Sequence, residues 1–252
     1  MLKLLQQTIQ SYRLAFLFLT ACFPLFCLPV FFEGLQHIVE VKLGMFAAKD
    51  GPKLSAEDNN IRLIFGGFKA LSLLFLTILI PRYFIHGQSK ERVLKFSKSA
   101  RLAAIVGFVV ILAHVLWVFG IGPVVVEAIK VDATAAQKII LPLVAIMLLG
   151  LPLQTRVNRW MARVFDDAPL SEGENKALMK AMMGWPTLIL VLAIMPFMAL
   201  HYYLNNAAMG APEFGLYALL GLDSLLVGWL ALVMGASYYV LYRNARASHI
   251  KV

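Results

Sequence analysis

The chain is short of charge. Asp, Glu, Lys and Arg make up only 15% of its 252 residues, and 60% are hydrophobic. A soluble domain carries about 25% charged and about 45–50% apolar residues. A single soluble core cannot hide so much apolar surface, which excludes an ordinary globular domain and leaves a polytopic membrane protein. Cysteine is scarce as well. Cys22 and Cys27 stand five positions apart in one apolar run, so on a helix their side chains point in different directions. That excludes an intrachain disulfide, and neither C-x-x-C nor a zinc spacing is present. The pair reads as two small buried hydrophobes.

Familiar catalytic signatures are missing too. Gly66-Gly67-Phe68-Lys69 lacks the spacing of a phosphate-binding loop. G-x-S-x-G, H-E-x-x-H, C-x-x-C-H and the glycine-rich dinucleotide turn do not occur. No cofactor is implied by any motif. A cleavable signal is also not expected, because the first apolar run is longer than the usual 7–15 residues and no small-residue cleavage site follows it.

Long apolar runs are what the chain has. Six stand out: Leu14–Phe32, Leu63–Pro81, Leu102–Val126, Ile139–Leu153, Ala181–Leu204 and Phe214–Tyr242. A span needs roughly 20 residues, so the fourth borrows from Ala133–Lys138. Prolines 24, 29, 142, 152 and 196 fall within these runs and predict local kinks. The expected architecture is all-α: a single integral membrane domain over residues 1–252, with six transmembrane helices and short interfacial amphipathic helices.

Orientation follows from basic residues. Arg82, Lys90, Arg92, Lys95, Lys98 and Arg101 share one side with Arg156, Arg159, Arg163, Lys176 and Lys180, and with both termini. The opposite side holds fewer, among them Lys42, Lys49, Lys53 and Arg62. The richer side is cytoplasmic, so both termini lie inside, as in a bacterial inner-membrane protein. The net charge of +9 then serves orientation and lipid contact, and no nucleic-acid partner is read from it. Arg156, Arg159 and Arg163 recur on one helical face and are expected to meet anionic membrane lipids. Amphipathic stretches before the first, third and fifth spans suggest three helical hairpins, the last opened by the capping-box pattern Ser171-Glu-Gly-Glu174.

The ionisable residues in or near the apolar runs carry the functional expectation, because charge in hydrocarbon is costly. Lys69, His114 and Asp223 fall in the second, third and sixth runs, each roughly 10–12 Å from its outer end at 1.5 Å per residue. Glu33, His37 and His201 lie near the outer boundary above them. Opposite charge and matching depth predict that Lys69 pairs with Asp223. In FFEGLQHIVE (31–40), Glu33, His37 and Glu40 fall within about 60° on a helical wheel. A straight helix from Arg13 to Phe46 would be about 51 Å long against a core of about 30 Å. A break near Pro29 or Gly34 is therefore expected, with the following segment along the outer surface. Its polar seam then meets water or headgroups, or else Glu33, His37 and Glu40 bind a metal ion.

Three functions fit these observations. The first is a non-enzymatic inner-membrane protein with a polar cavity toward the outer side, binding or transporting a lipid, small solute or ion through Lys69, His114, Asp223, Glu33 and His37. The second is an accessory subunit docked to protein partners in a larger membrane complex. The third is a metal-dependent membrane enzyme using Glu33, His37 and Glu40.

Overall fold

The computed structural model describes residues 2–47, 60–98 and 188–249, with a few single positions between 100 and 180. All secondary structure among the described residues is helical: α1 (Leu2–Ala21), α2 (Phe23–Lys42), α3 (Asn60–Ile85), α4 (Lys90–Val93), α5 (Leu188–Ala208) and α6 (Glu213–His249). Four helices are long and apolar enough to cross a membrane, over Phe23–Lys42, Ile64–Ile85, Leu188–Ala208 and Glu213–Ala247. Three overlap the expected second, fifth and sixth runs, whereas Phe23–Lys42 takes only the second half of the expected first run, Leu14–Phe32. The spans expected over Leu102–Val126 and Ile139–Leu153 lie outside the described residues but for isolated positions. His114, Arg156, Arg159 and Arg163 lie outside them as well.

The chain divides into two compact units. One comprises Met1–Leu94 with Gly184–Asn244 and contains everything argued below. In the other, Lys95–Met183 with Ala245–Val252, the Ser97 hydroxyl accepts the Ala100 backbone N–H at 3.1 Å and marks a local helix start.

The expected break in the first apolar run is real but sits elsewhere. Helix α1 ends at Ala21, Cys22 leaves helical geometry at φ −131° and ψ 42°, and α2 begins at Phe23. Pro24 is the cause: its ring opposes the carbonyl four residues back, and as the second residue of a new helix it has no N–H to leave unpaired. Pro29 and Gly34 lie inside an unbroken α2. This moves the membrane-length segment to Phe23–Lys42, so residues 33–40 belong to that helix.

Helix α1 buries Leu4, Thr8, Ser11, Ala15 and Phe18, a stripe at helical spacing. Tyr12 beside that stripe donates to the Ala193 carbonyl at 3.3 Å and meets Phe197 edge-on, tying α1 to α5. Phe18 meets Tyr83 of α3 edge-on. At the far end of α3 the fully buried Arg82 donates from Nε to the Val93 carbonyl at 3.1 Å and satisfies the C-terminus of α4.

Helix α6 approaches its neighbours through glycines seven residues apart. A Cβ at Gly228 would fall on the Val30 methyl and 2.7 Å from the Phe26 ring of α2. One at Gly235 would lie 2.7 Å from Ile80 and 3.0 Å from the Leu76 carbonyl of α3. Small residues allow such close helix contacts in a bilayer, where no hydrophobic force drives helices together. Gly228→Ala should therefore destabilise the protein by about 1–3 kcal/mol through overpacking. Gly221→Ala, where nothing lies within 4 Å of the new methyl, should not. Thermal unfolding in detergent compares the two, and equal melting temperatures would refute the close approach.

Beyond α2 the chain turns through Gly44 at φ 74°, and the α5–α6 turn passes through Gly210 at φ 67°. The Gly210 N–H donates to the Phe46 carbonyl at 2.8 Å and joins the two turns. Met45, Phe46, Ala208 and Leu220 pack there as an apolar plug.

Candidate functional site: a buried ionic core

The side chains that α2 buries are Phe26, Pro29, Glu33, Gln36, His37 and Glu40. Four of these six are polar and follow the i, i+3, i+4, i+7 spacing of one helical face. Phe31 and Ile38 on other faces are exposed. The helix is thus turned inside out relative to a soluble amphipathic helix. The expectation that this seam meets water or headgroups is corrected: Glu33, His37 and Glu40 are 1%, 4% and 4% exposed. The reason is the shifted break, which makes residues 33–40 part of a membrane-length helix whose polar face packs against other helices.

Those partners come from three other helices. His37 sits at the centre. Its Nδ1 lies 2.8 Å from Glu40 Oε2, and its Nε2 lies 3.0 Å from Asp223 Oδ2 and 3.4 Å from Glu33 Oε1. Glu40 Oε1 accepts from Gln36 Nε2 and from Arg62 Nε, each at 2.8 Å. Asp223 has no solvent exposure, and its Oδ1 lies 2.7 Å from His201 Nδ1 while Oδ2 accepts from Asn205 Nδ2 at 2.8 Å. Asn205 also donates to the His201 carbonyl one turn back, which holds both residues on one face of α5. The Phe46 ring of the plug meets His37 at 6.2 Å between centroids and closes that side.

The expected Lys69–Asp223 pair does not form. Lys69 Nζ lies 2.6 Å from Glu33 Oε2. Lys69 on α3 faces α2, where Glu33 takes it, while Asp223 is taken by His37, His201 and Asn205. The Lys69 contact compensates the charge of Oε2 while its angles fall outside hydrogen-bond geometry, so that oxygen has no well-directed donor. Gln36 Oε1 is likewise buried without a donor, facing Gly66, whose missing side chain leaves it room.

Of the residues expected to form a site, Glu33, His37, Lys69 and Asp223 come together. Glu40 joins the same network, but on the far ring nitrogen of His37, opposite Glu33. Four contributors were not singled out for the site: Gln36, Arg62, His201 and Asn205. Arg62 and Lys69, seven residues apart on α3, share a face with Gly66 between them, and His201-x-x-x-Asn205 is an i, i+4 pair. Both spacings are legible in the sequence.

The charge inventory is uneven. Glu33, Glu40 and Asp223 face Lys69 and Arg62, so with both imidazoles neutral the described core is one positive charge short. Both of its buried atoms without a directed donor, Glu33 Oε2 and Gln36 Oε1, are acceptors. Glu33, His201 and Asp223 each offer one ligand atom, and these atoms lie within 4.8 Å of one another. His201, Arg62 and Lys69 keep 26%, 24% and 21% of their side chains exposed, whereas the carboxylates are sealed. No protein-family model matches the chain, and neither a curated protein nor a solved structure does. The fold and site define an all-helical protein with membrane-length helices around an ionic core.

Proposed function

We propose that the protein is a non-enzymatic inner-membrane protein that binds, and through binding moves, a small cationic solute or ion in the core between α2, α3, α5 and α6. The observation that carries this reading is the inward-turned seam Glu33–Gln36–His37–Glu40, in a core of three buried carboxylates whose two atoms without a directed donor are both acceptors. Buried ionisable groups facing a bundle interior mark ion and substrate paths. An anionic lipid headgroup fits less well, because it would bring further negative charge to three buried carboxylates. Six spans, cytoplasmic termini and lipid contact through Arg156, Arg159 and Arg163 belong to the same proposal.

The reading is tested by thermal unfolding of the full chain in mild detergent against monovalent cations, divalent cations and small organic amines. A ligand at 100 times its Kd stabilises by about 2.7 kcal/mol. At least one cation should raise the melting temperature of the wild type and leave Glu33→Gln unchanged. A core that responds to no cation, in a preparation carrying a stoichiometric partner protein, would instead favour the accessory-subunit reading.

A further inference from the structure

We propose that the ligand of this core is a divalent transition-metal ion, held by Glu33, Asp223 and His201 with His37 Nε2 as the fourth donor. The inference rests on the ion-binding reading above and names its ligand class. Four observations carry it.

The first is convergence. Glu33 comes from α2, His201 from α5 and Asp223 from α6, so the three ligand atoms within 4.8 Å of one another are brought together by tertiary packing. The second is spacing. Donors about 2.0–2.1 Å from a tetrahedral ion stand about 3.3 Å apart. Here His201 Nδ1 and Asp223 Oδ1 are 2.7 Å apart, His37 Nε2 and Asp223 Oδ2 3.0 Å, and His37 Nε2 and Glu33 Oε1 3.4 Å. The cluster as a whole spans up to 4.8 Å, so closing around an ion draws these side chains together by up to about 1.5 Å.

The third observation is the support behind His37. Its Nδ1 is committed to Glu40, which Gln36 and Arg62 hold in turn. With the Nδ1 proton given to Glu40, the Nε2 lone pair points at two carboxylates. That arrangement needs a positive centre, either a proton on Nε2 or a cation in its place. A carboxylate on the outer nitrogen is how metal-binding histidines are oriented and made more basic. The fourth is the donor set. Two imidazoles and two carboxylates suit zinc, manganese, iron or cobalt, whereas magnesium, calcium and alkali ions prefer oxygen alone.

The test uses the untagged full chain in mild detergent, stripped with chelator and dialysed separately against Mn²⁺, Fe²⁺, Co²⁺, Ni²⁺ and Zn²⁺. Metal per chain is read by elemental analysis and coordination by the visible absorption of the Co²⁺ form. The wild type should hold one ion per chain with a tetrahedral Co²⁺ spectrum. His201→Ala should abolish that spectrum, and Glu40→Gln should weaken binding by about 10–100-fold. Because Asp223 keeps His37 and Asn205 as partners, replacing His201 should leave the fold intact, and His201→Gln, which can still reach Asp223, provides a second variant should the alanine unfold. Wild-type protein free of all five metals overturns the inference, as does metal retained unchanged in both His201 variants. If the metal-free protein is still stabilised by monovalent or organic cations through Glu33, the metal inference fails and the ion-binding reading stands. If it responds to no cation, both fall.

Discussion

Asp223→Leu should lower the stability of the purified protein by about 3–5 kcal/mol, the cost of leaving buried charges and donors without their partner. Asp223 is fully buried and takes three contacts, from His201, Asn205 and His37. Leucine is of similar size, so packing changes little and the loss reports the polar groups left behind. Each abandoned donor forfeits about 1–3 kcal/mol of solvation. His201 and Asn205 can recover part of this because they lie toward the edge of α5, whereas His37, at 4% exposure, cannot. At 2–4 °C per kcal/mol for a chain of this size, the melting temperature should fall by roughly 10 °C. Asp223→Asn, which keeps one acceptor, should fall between leucine and wild type. A leucine variant melting with the wild type would show that Asp223 does not hold the two histidines.

Lys69 and Glu33 should behave as an asymmetric pair. Lys69→Met leaves Glu33, 1% exposed, as an uncompensated charge with no route to water, and should cost about 3–5 kcal/mol. Glu33→Gln should cost less, because Lys69 keeps 21% of its side chain exposed and can swing its ammonium outward along a flexible stem. The double variant should recover most of the Lys69→Met loss. The same cycle between Lys69 and Asp223 should show the weaker coupling, since Lys69 is taken by Glu33 and Asp223 by His37, His201 and Asn205. Stronger coupling of Lys69 to Asp223 than to Glu33, measured by thermal unfolding of all the variants, would refute the observed pairing.

These two residues also show how far the sequence could be read. That Lys69 and Asp223 sit inside apolar runs, and at what distance from the run's end, is visible from counting along each run. Which helix each one faces is not, because depth is a coordinate along the axis and partner choice is one around it. The α2 seam poses the same problem. A helical wheel shows that Glu33, His37 and Glu40 share a face, but it does not say whether that face turns to water or to a neighbour. The answer depended on where the preceding helix stops. Proline chemistry forecast a break, yet the run offers both Pro24 and Pro29, and the one that begins a new helix is Pro24. His201 and Asn205 were hidden for another reason. Each is ordinary near a membrane surface and becomes part of a site only when α6 brings Asp223 beside them.

The interruption at Cys22 has a consequence for how the chain is made. By detaching α1 it assigns Glu33, His37 and Glu40 to the least apolar of the four membrane-length helices. Charged residues near a helix centre cost about 2.5–3.5 kcal/mol each on passing from the translocon into lipid. Alone, α2 is a poor candidate to leave that channel. The next helix to emerge, α3, carries Arg62 and Lys69, which neutralise two of its carboxylates. The two helices therefore have reason to partition together as a hairpin. Asp223 and His201 arrive later in synthesis, so the core is completed only when the last described helices have joined it.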